Sequence, residues 1–171
     1  MSLAGRPLSR EQEPMKIHGK ILFVTFSLLW SALIPPAWAA VSVDLTVSRT
    51  SLHFPDSDPD AVPSVPASEN PITLGVRVRG NKGGTWGLTV LSSGDLVSGS
   101  NTIGISHVTW SAQPSPFLDG QLDRTTPQVV ASGSGNVSSY LYGTVRFYFK
   151  NSWNYYTGNY SQVIIYTLTA P

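Results

Sequence analysis

The sequence predicts an all-β protein, an antiparallel β-sandwich of two sheets and about seven to nine short strands, set behind a cleaved signal peptide. Three observations carry this. Apolar and polar residues alternate with a period of two in segment after segment. Turn-forming clusters separate those segments at short intervals. No stretch shows a helical period, and abundant Thr, Ser, Val, Gly and Tyr suit a pleated surface better than a helix.

The first alternating segment places Val41, Val43, Leu45 and Val47 on one face, with Ser42, Asp44, Thr46 and Ser48 opposite. Phe54 to Pro71, with five prolines and four acids, reads as a surface excursion, because proline fixes φ and removes a donor. Ile72, Leu74, Val76 and Val78 then share a face, with Thr73, Gly75, Arg77 and Arg79 opposite. Trp86, Leu88 and Val90 make the next inward set. Ile103 and Ile105 lead to Val108 and Trp110, and Val129 and Val130 sit in a short run. Leu141, Gly143, Val145, Phe147 and Phe149 alternate with Tyr140, Tyr142, Thr144, Arg146, Tyr148 and Lys150. Tyr160 to Thr169 is apolar on both faces. Such a strand is expected to be central or well covered, since an exposed edge of this kind invites aggregation. No internal repeat is visible.

The N-terminal part reads as address rather than fold. Ile21 to Ile34 is an apolar run preceded by Lys16, His18 and Lys20, and followed by Ala37-Trp38-Ala39, an A-x-A cleavage site. The run is shorter than the roughly 20 residues of a spanning helix. Met15 is the better start for such a signal, so residues 1–14 read as a start-site extension, 15–39 as the signal peptide and 40–171 as one domain. The 132 residues of that domain (171 − 39) suffice for a core without staples. There is no cysteine, which excludes disulfides, thiol catalysis and thiolate-bound zinc.

From Ala40 onward eight acids face seven bases, a net charge of −1. The count alone gives no basic face for nucleic acid and no polybasic membrane patch. No second apolar run of spanning length follows the first. The whole-chain pI of about 8.0 comes from the leader.

Candidate chemistry is sparse. Asp56, Asp58 and Asp60 alternate in "DSDPD", a spacing open to calcium, but Ala61 and Ala67 stand where an EF-hand loop needs Gly and Glu. A solvated acidic turn is the plainer reading. No G-x-S-x-G surrounds any serine. Asp119 and Asp123 flank "GQL" in a loop, where a glycosidase would need its carboxylates across a cleft. No cofactor or metal is implied. Trp153, Tyr155, Tyr156 and Tyr160 crowd the segment before the last strand. These and Tyr140, Tyr142 and Tyr148 either form cross-strand ladders or stack on a sugar or protein partner.

Trp86-Gly87-Leu88 in "TWGLTV" and Tyr166-Thr167-Leu168 before Pro171 together resemble the paired W-x-L motifs of the WxL surface domain of Gram-positive bacteria. That domain ends in a similar strand running Tyr, Trp-Thr-Leu, Pro; Tyr160 and Leu168 fit it, and Tyr166 stands where the family has Trp. The resemblance implies non-covalent attachment to peptidoglycan. "TGNYSQVIIYTL" is also similar to the closing strand of spore-coat-U-type and fimbrial subunits, which implies an Ig-like or pilin-like sandwich that assembles by strand donation. "VSVDLTVS" has the alternation of a donor strand, and equally that of an ordinary first strand.

The expected function is therefore that of an exported, non-enzymatic bacterial surface protein that binds a cell-wall polymer or a surface protein. A self-assembling structural subunit is the alternative, with a carbohydrate-active enzyme behind it. The mature chain is predicted to begin at Ala40. N-terminal sequencing of exported protein checks this, and a mature form retaining Ile21 to Ile34 would mean an uncleaved anchor.

Overall fold

Period-two alternation resolves into eleven strands in the computed structural model, which describes residues 40–171. The start extension and signal peptide expected over residues 1–39 lie outside the described residues. In chain order the strands are β1 (Ser42–Val47), β2 (Ser64–Pro66), β3 (Ile72–Arg79), β4 (Thr85–Ser92), β5 (Leu96–Ser98), β6 (Asn101–Ile103), β7 (Val108–Gln113), β8 (Gly120–Gln121), β9 (Gln128–Ser134), β10 (Val137–Lys150) and β11 (Ile164–Thr169). A single 3₁₀ turn, Ile105–His107, precedes β7. The strands outnumber the expected seven to nine because β2, β5, β6 and β8 are pieces of two or three residues.

All pairings are antiparallel. A six-stranded sheet runs β1-β3-β10-β7-β8, with β2 also on β10. A three-stranded sheet runs β11-β4-β9, and β5-β6 form a small hairpin. The inward residues foreseen from alternation in β3, β4 and β10 are mostly the buried ones, whereas in the first segment Val41 and Val43 are each 40% exposed and Leu45 and Val47 only half-buried. Leu74, Val76 and Val78 of β3, Leu88 of β4 and Phe147 of β10 are each at most 1% exposed. Both larger sheets contribute to one apolar cluster. Burying each such side chain stabilises the fold by about 1.5–3 kcal/mol.

Large rings in these sheets lie over glycines on the facing strand. Trp86 pairs with Gly133, Trp110 with Gly120 and Tyr142 with Gly75. A β-carbon added at Gly133 would stand 2.6 Å from Trp86 Cζ2, and one at Gly75 would stand 2.7 Å from Tyr142 Cε1. Glycine weakens a strand by having no side chain to pack. Here the ring opposite supplies that packing.

One side chain stands in for missing backbone. β2 and β3 share the same side of β10 but are interrupted at Ala67–Pro71. Asn70 fills the gap: its amide Nδ2 donates to Phe147 O at 2.7 Å, and its Oδ1 accepts from Phe147 N at 2.8 Å. Ala67 N–H also donates to Phe147 O at 3.0 Å, so it is the N–H of the buried Phe147 that Asn70 keeps from being left unpaired.

The last strand does not sit where expected. β11 pairs only with β4 and forms the edge of its sheet. Ile164, Tyr166 and Leu168 pack on the core, whereas Val163 is 63% and Ile165 50% exposed. Apolar residues on both faces had suggested a central position. The outward face is instead left to solvent.

Trp86→Ala is expected to cost about 3–5 kcal/mol through the cavity it leaves. Gly133→Ala should cost about 1–3 kcal/mol by overpacking. Urea denaturation of the double variant should show a loss smaller than the sum by at least about 0.5 kcal/mol, since the added methyl would occupy space the ring vacates. Strict additivity would mean that the two sites are independent.

Candidate functional site

The outward side chains of β1, β3, β7 and β10 form one face of the six-stranded sheet. Strand pairing sets Asp44 opposite Arg77, and Thr46 opposite Gly75, which is opposite Tyr142 in turn. Arg77 Nε donates to Asp44 Oδ2 at 2.9 Å, with Nη2 at 2.8 Å from the same oxygen. The hydrogen bond from Asp44 raises the already high pKa of Arg77 and fixes its charge. So anchored, the guanidinium lies 4.5 Å above the centre of the Tyr140 ring, a cation–π contact. Tyr140 stacks beside Tyr142, with ring centres 5.7 Å apart and planes 28° from parallel.

Tyr142 is the exposed member, at 55%. Its ring lies on Gly75, which is buried even though it belongs to the solvent face of β3. Farther along the same face lie Arg79 on one side and Arg146 and then Lys150 on the other, all exposed, with Lys150 about 26 Å along β10 from Tyr142 at the rise of a strand. The ion pairs among the described residues are Asp44–Arg77 and Asp95–Arg124, so those three cations are unpaired. Four of the seven cations thus share one face, whose carboxylates are Asp44 and, at the margin, Asp119. The near-neutral count had given no basic face; strand pairing collects one. A shallow depression of about 300 Å³ adjoins it, lined by Ser111, Gln113, Asp119, Thr144 and Arg146.

The other foreseen residues fall elsewhere. Trp86 and Leu88 are buried, at 4% and 0% exposure. Leu88 is the cross-strand partner of Leu168, and Val90 that of Tyr166. The two W-x-L-like triplets therefore meet on adjacent strands and look inward. Tyr160 stays apart, its hydroxyl donating to Tyr156 O at 3.0 Å. Tyr155 packs against Phe149 and His107, with ring centres 5.7 and 5.5 Å away. Trp153 and Tyr156 are exposed, at 68% and 74%, and Trp153 Nε1 donates to Asp60 Oδ1 at 3.1 Å.

Asp58 accepts from the Asp60 N–H at 2.8 Å within its own turn. Among the described residues no group of three or more His, Cys, Asp or Glu is placed to hold a metal ion, so Asp56, Asp58 and Asp60 are not gathered into the calcium site their spacing had left open. Asp119 accepts from Ala112 N–H. Asp123 accepts from the backbone of Thr125 and Thr126, bonds that lower its pKa.

A second concavity, of about 500 Å³, opens between Arg49–Phe54 and Tyr160–Tyr166, over Ile72, Val108 and Phe147. Tyr166 lines it, and burial pushes the Tyr166 phenol above its ordinary range.

Tyr140, Tyr142 and Tyr148 were visible in the sequence as a shared face. The seat at Gly75 and the anchor at Asp44 were not, because neither exists until β1, β3 and β10 are paired. No protein-family model matches the chain, and no curated protein matches its sequence.

The raised pKa of Tyr166 has a definite sign. The folded protein holds that proton to higher pH than the unfolded chain, whose tyrosines release it near pH 10. The contribution is complete below about pH 10 and falls as pH rises beyond it. Tyr166→Phe should flatten the alkaline loss of stability in denaturant titrations between about pH 9 and 11. An unchanged slope would show that another group governs it.

Proposed function

We propose that this protein is an exported, non-enzymatic β-sandwich, Ig-like or pilin-like in type, that attaches to an anionic cell-wall polysaccharide of a bacterial surface through the outer face of its six-stranded sheet. The observation that carries the reading is the Tyr142 ring, seated on Gly75 beside Tyr140 and the anchored Arg77, with its outer face free. A ring held flat loses little freedom on binding and offers its π face to the C–H face of a pyranose. The unpaired Arg79, Arg146 and Lys150 favour a glycan that carries carboxylates or phosphates over a neutral one.

The W-x-L-like residues enter this reading as core and not as contacts. Wall attachment, the function that resemblance implies, is assigned here to a different face. Strand donation is less well supported, because β1 lies in register on its own β3 and would have to leave it.

Co-sedimentation with purified wall polysaccharide tests the proposal. Tyr142→Ala should weaken binding about tenfold, equivalent to about 1.4 kcal/mol. Arg146→Gln combined with Lys150→Gln should weaken it further and reduce its salt dependence. Trp153→Ala should leave it unchanged. Equal binding by wild type and Tyr142→Ala, or preferential binding to single-stranded nucleic acid at the same salt, would overturn the assignment.

A further inference from the structure

We infer that β11 is a self-association edge, which pairs antiparallel with β11 of a second copy and joins two three-stranded sheets into one across a two-fold axis. This does not depend on polymer binding. β11 makes its ladder with β4, and upstream Ser161 and Val163 bond to Val97 and Ser93 in continuation of it. β1 approaches β11 but pairs with β3 instead. An edge strand presents a row of free N–H and C=O groups, and folded proteins usually blunt it with a charge, a proline, a bulge or a cover.

The other sheet ends have such devices. β1 carries the charged Asp44, β8 is two residues long, and Leu118 N–H bonds to Val130 O along β9. β11 has none. There is no charged side chain from Asn151 to Pro171, no proline before Pro171, and no irregularity in the β11–β4 register. Val163 and Ile165 stand outward. An identical strand meets this edge without charge repulsion, and its own Val163 and Ile165 would cover those exposed here. The isologous arrangement closes on itself at two copies.

The absence of cysteine makes the test direct. Protein purified as its cell produces it, with no polysaccharide added, should sediment as a monomer–dimer equilibrium. Ile165→Lys should raise the dimer dissociation constant at least tenfold and leave the melting temperature within error, since Ile165 is half exposed. With the two-fold axis passing at Ile165, so that Ile165 faces its own copy, Ile165→Cys should form a disulfide-linked dimer on mild oxidation, because facing residues of an antiparallel pair lie about 4.5–5.5 Å apart at Cα, within disulfide reach. Val43→Cys, on β1, should not. A protein monomeric at all concentrations, a dimer that survives Ile165→Lys, or crosslinking through Val43→Cys alone would overturn the inference.

Discussion

The sheets depend on rings laid over glycines. Trp86 on Gly133, Trp110 on Gly120 and Tyr142 on Gly75 are the same device at three places. A side chain on the facing residue would force each ring upright, and the space between the sheets would no longer fit. Two of the rings face the core. Trp110 also packs 6.1 Å from Phe147 and donates its Nε1 hydrogen to Leu118 O at 2.8 Å, which ties the loop after β7 to the core. Trp86 Nε1 is buried without a partner, so its place rests on packing alone. The third ring faces water, and the arrangement that packs the interior there orders side chains on the outer surface.

That dual use explains why the outer face is well formed without being a cleft. β10, the longest strand, crosses the sheet between β3 and β7 and fixes the spacing of everything projecting from it. Arg77 is held on one side by Asp44, and Tyr140 lies beneath its guanidinium. On the proposed reading, a ligand meeting this face would find groups already ordered and would lose less side-chain entropy on contact.

Sequence alternation made much of this legible. It identified the inward sets of β3, β4 and β10, because a half-buried strand must alternate whatever its neighbour. Position within a sheet was not legible. Tyr160 to Thr169 is apolar on both faces, and that pattern cannot tell a central strand from an edge strand. The cation-bearing face was hidden for a related reason. Arg77 and Arg79 lie on β3, Arg146 and Lys150 on β10, and only pairing sets all four on one face. Nothing in the alternation marked Gly75, Gly120 or Gly133 as a seat for a ring, because the ring opposite each is set only by strand pairing. The W-x-L-like triplets were legible as a pair, and their meeting across β4 and β11 accounts for that pairing by packing.

The Asn70 side chain, which completes the bonding of Phe147 in the gap of the sheet, has a bearing on chemical ageing. Asparagine deamidates mainly through attack on its own side chain by the following backbone nitrogen, which closes a five-membered imide. Loss of the Asn70 amide would set a carboxylate oxygen against the Phe147 carbonyl, replacing a donor with a second acceptor. Pro71 follows, and its nitrogen carries no hydrogen. The asparagine on which the sheet interior relies is therefore shielded from that route by its neighbour.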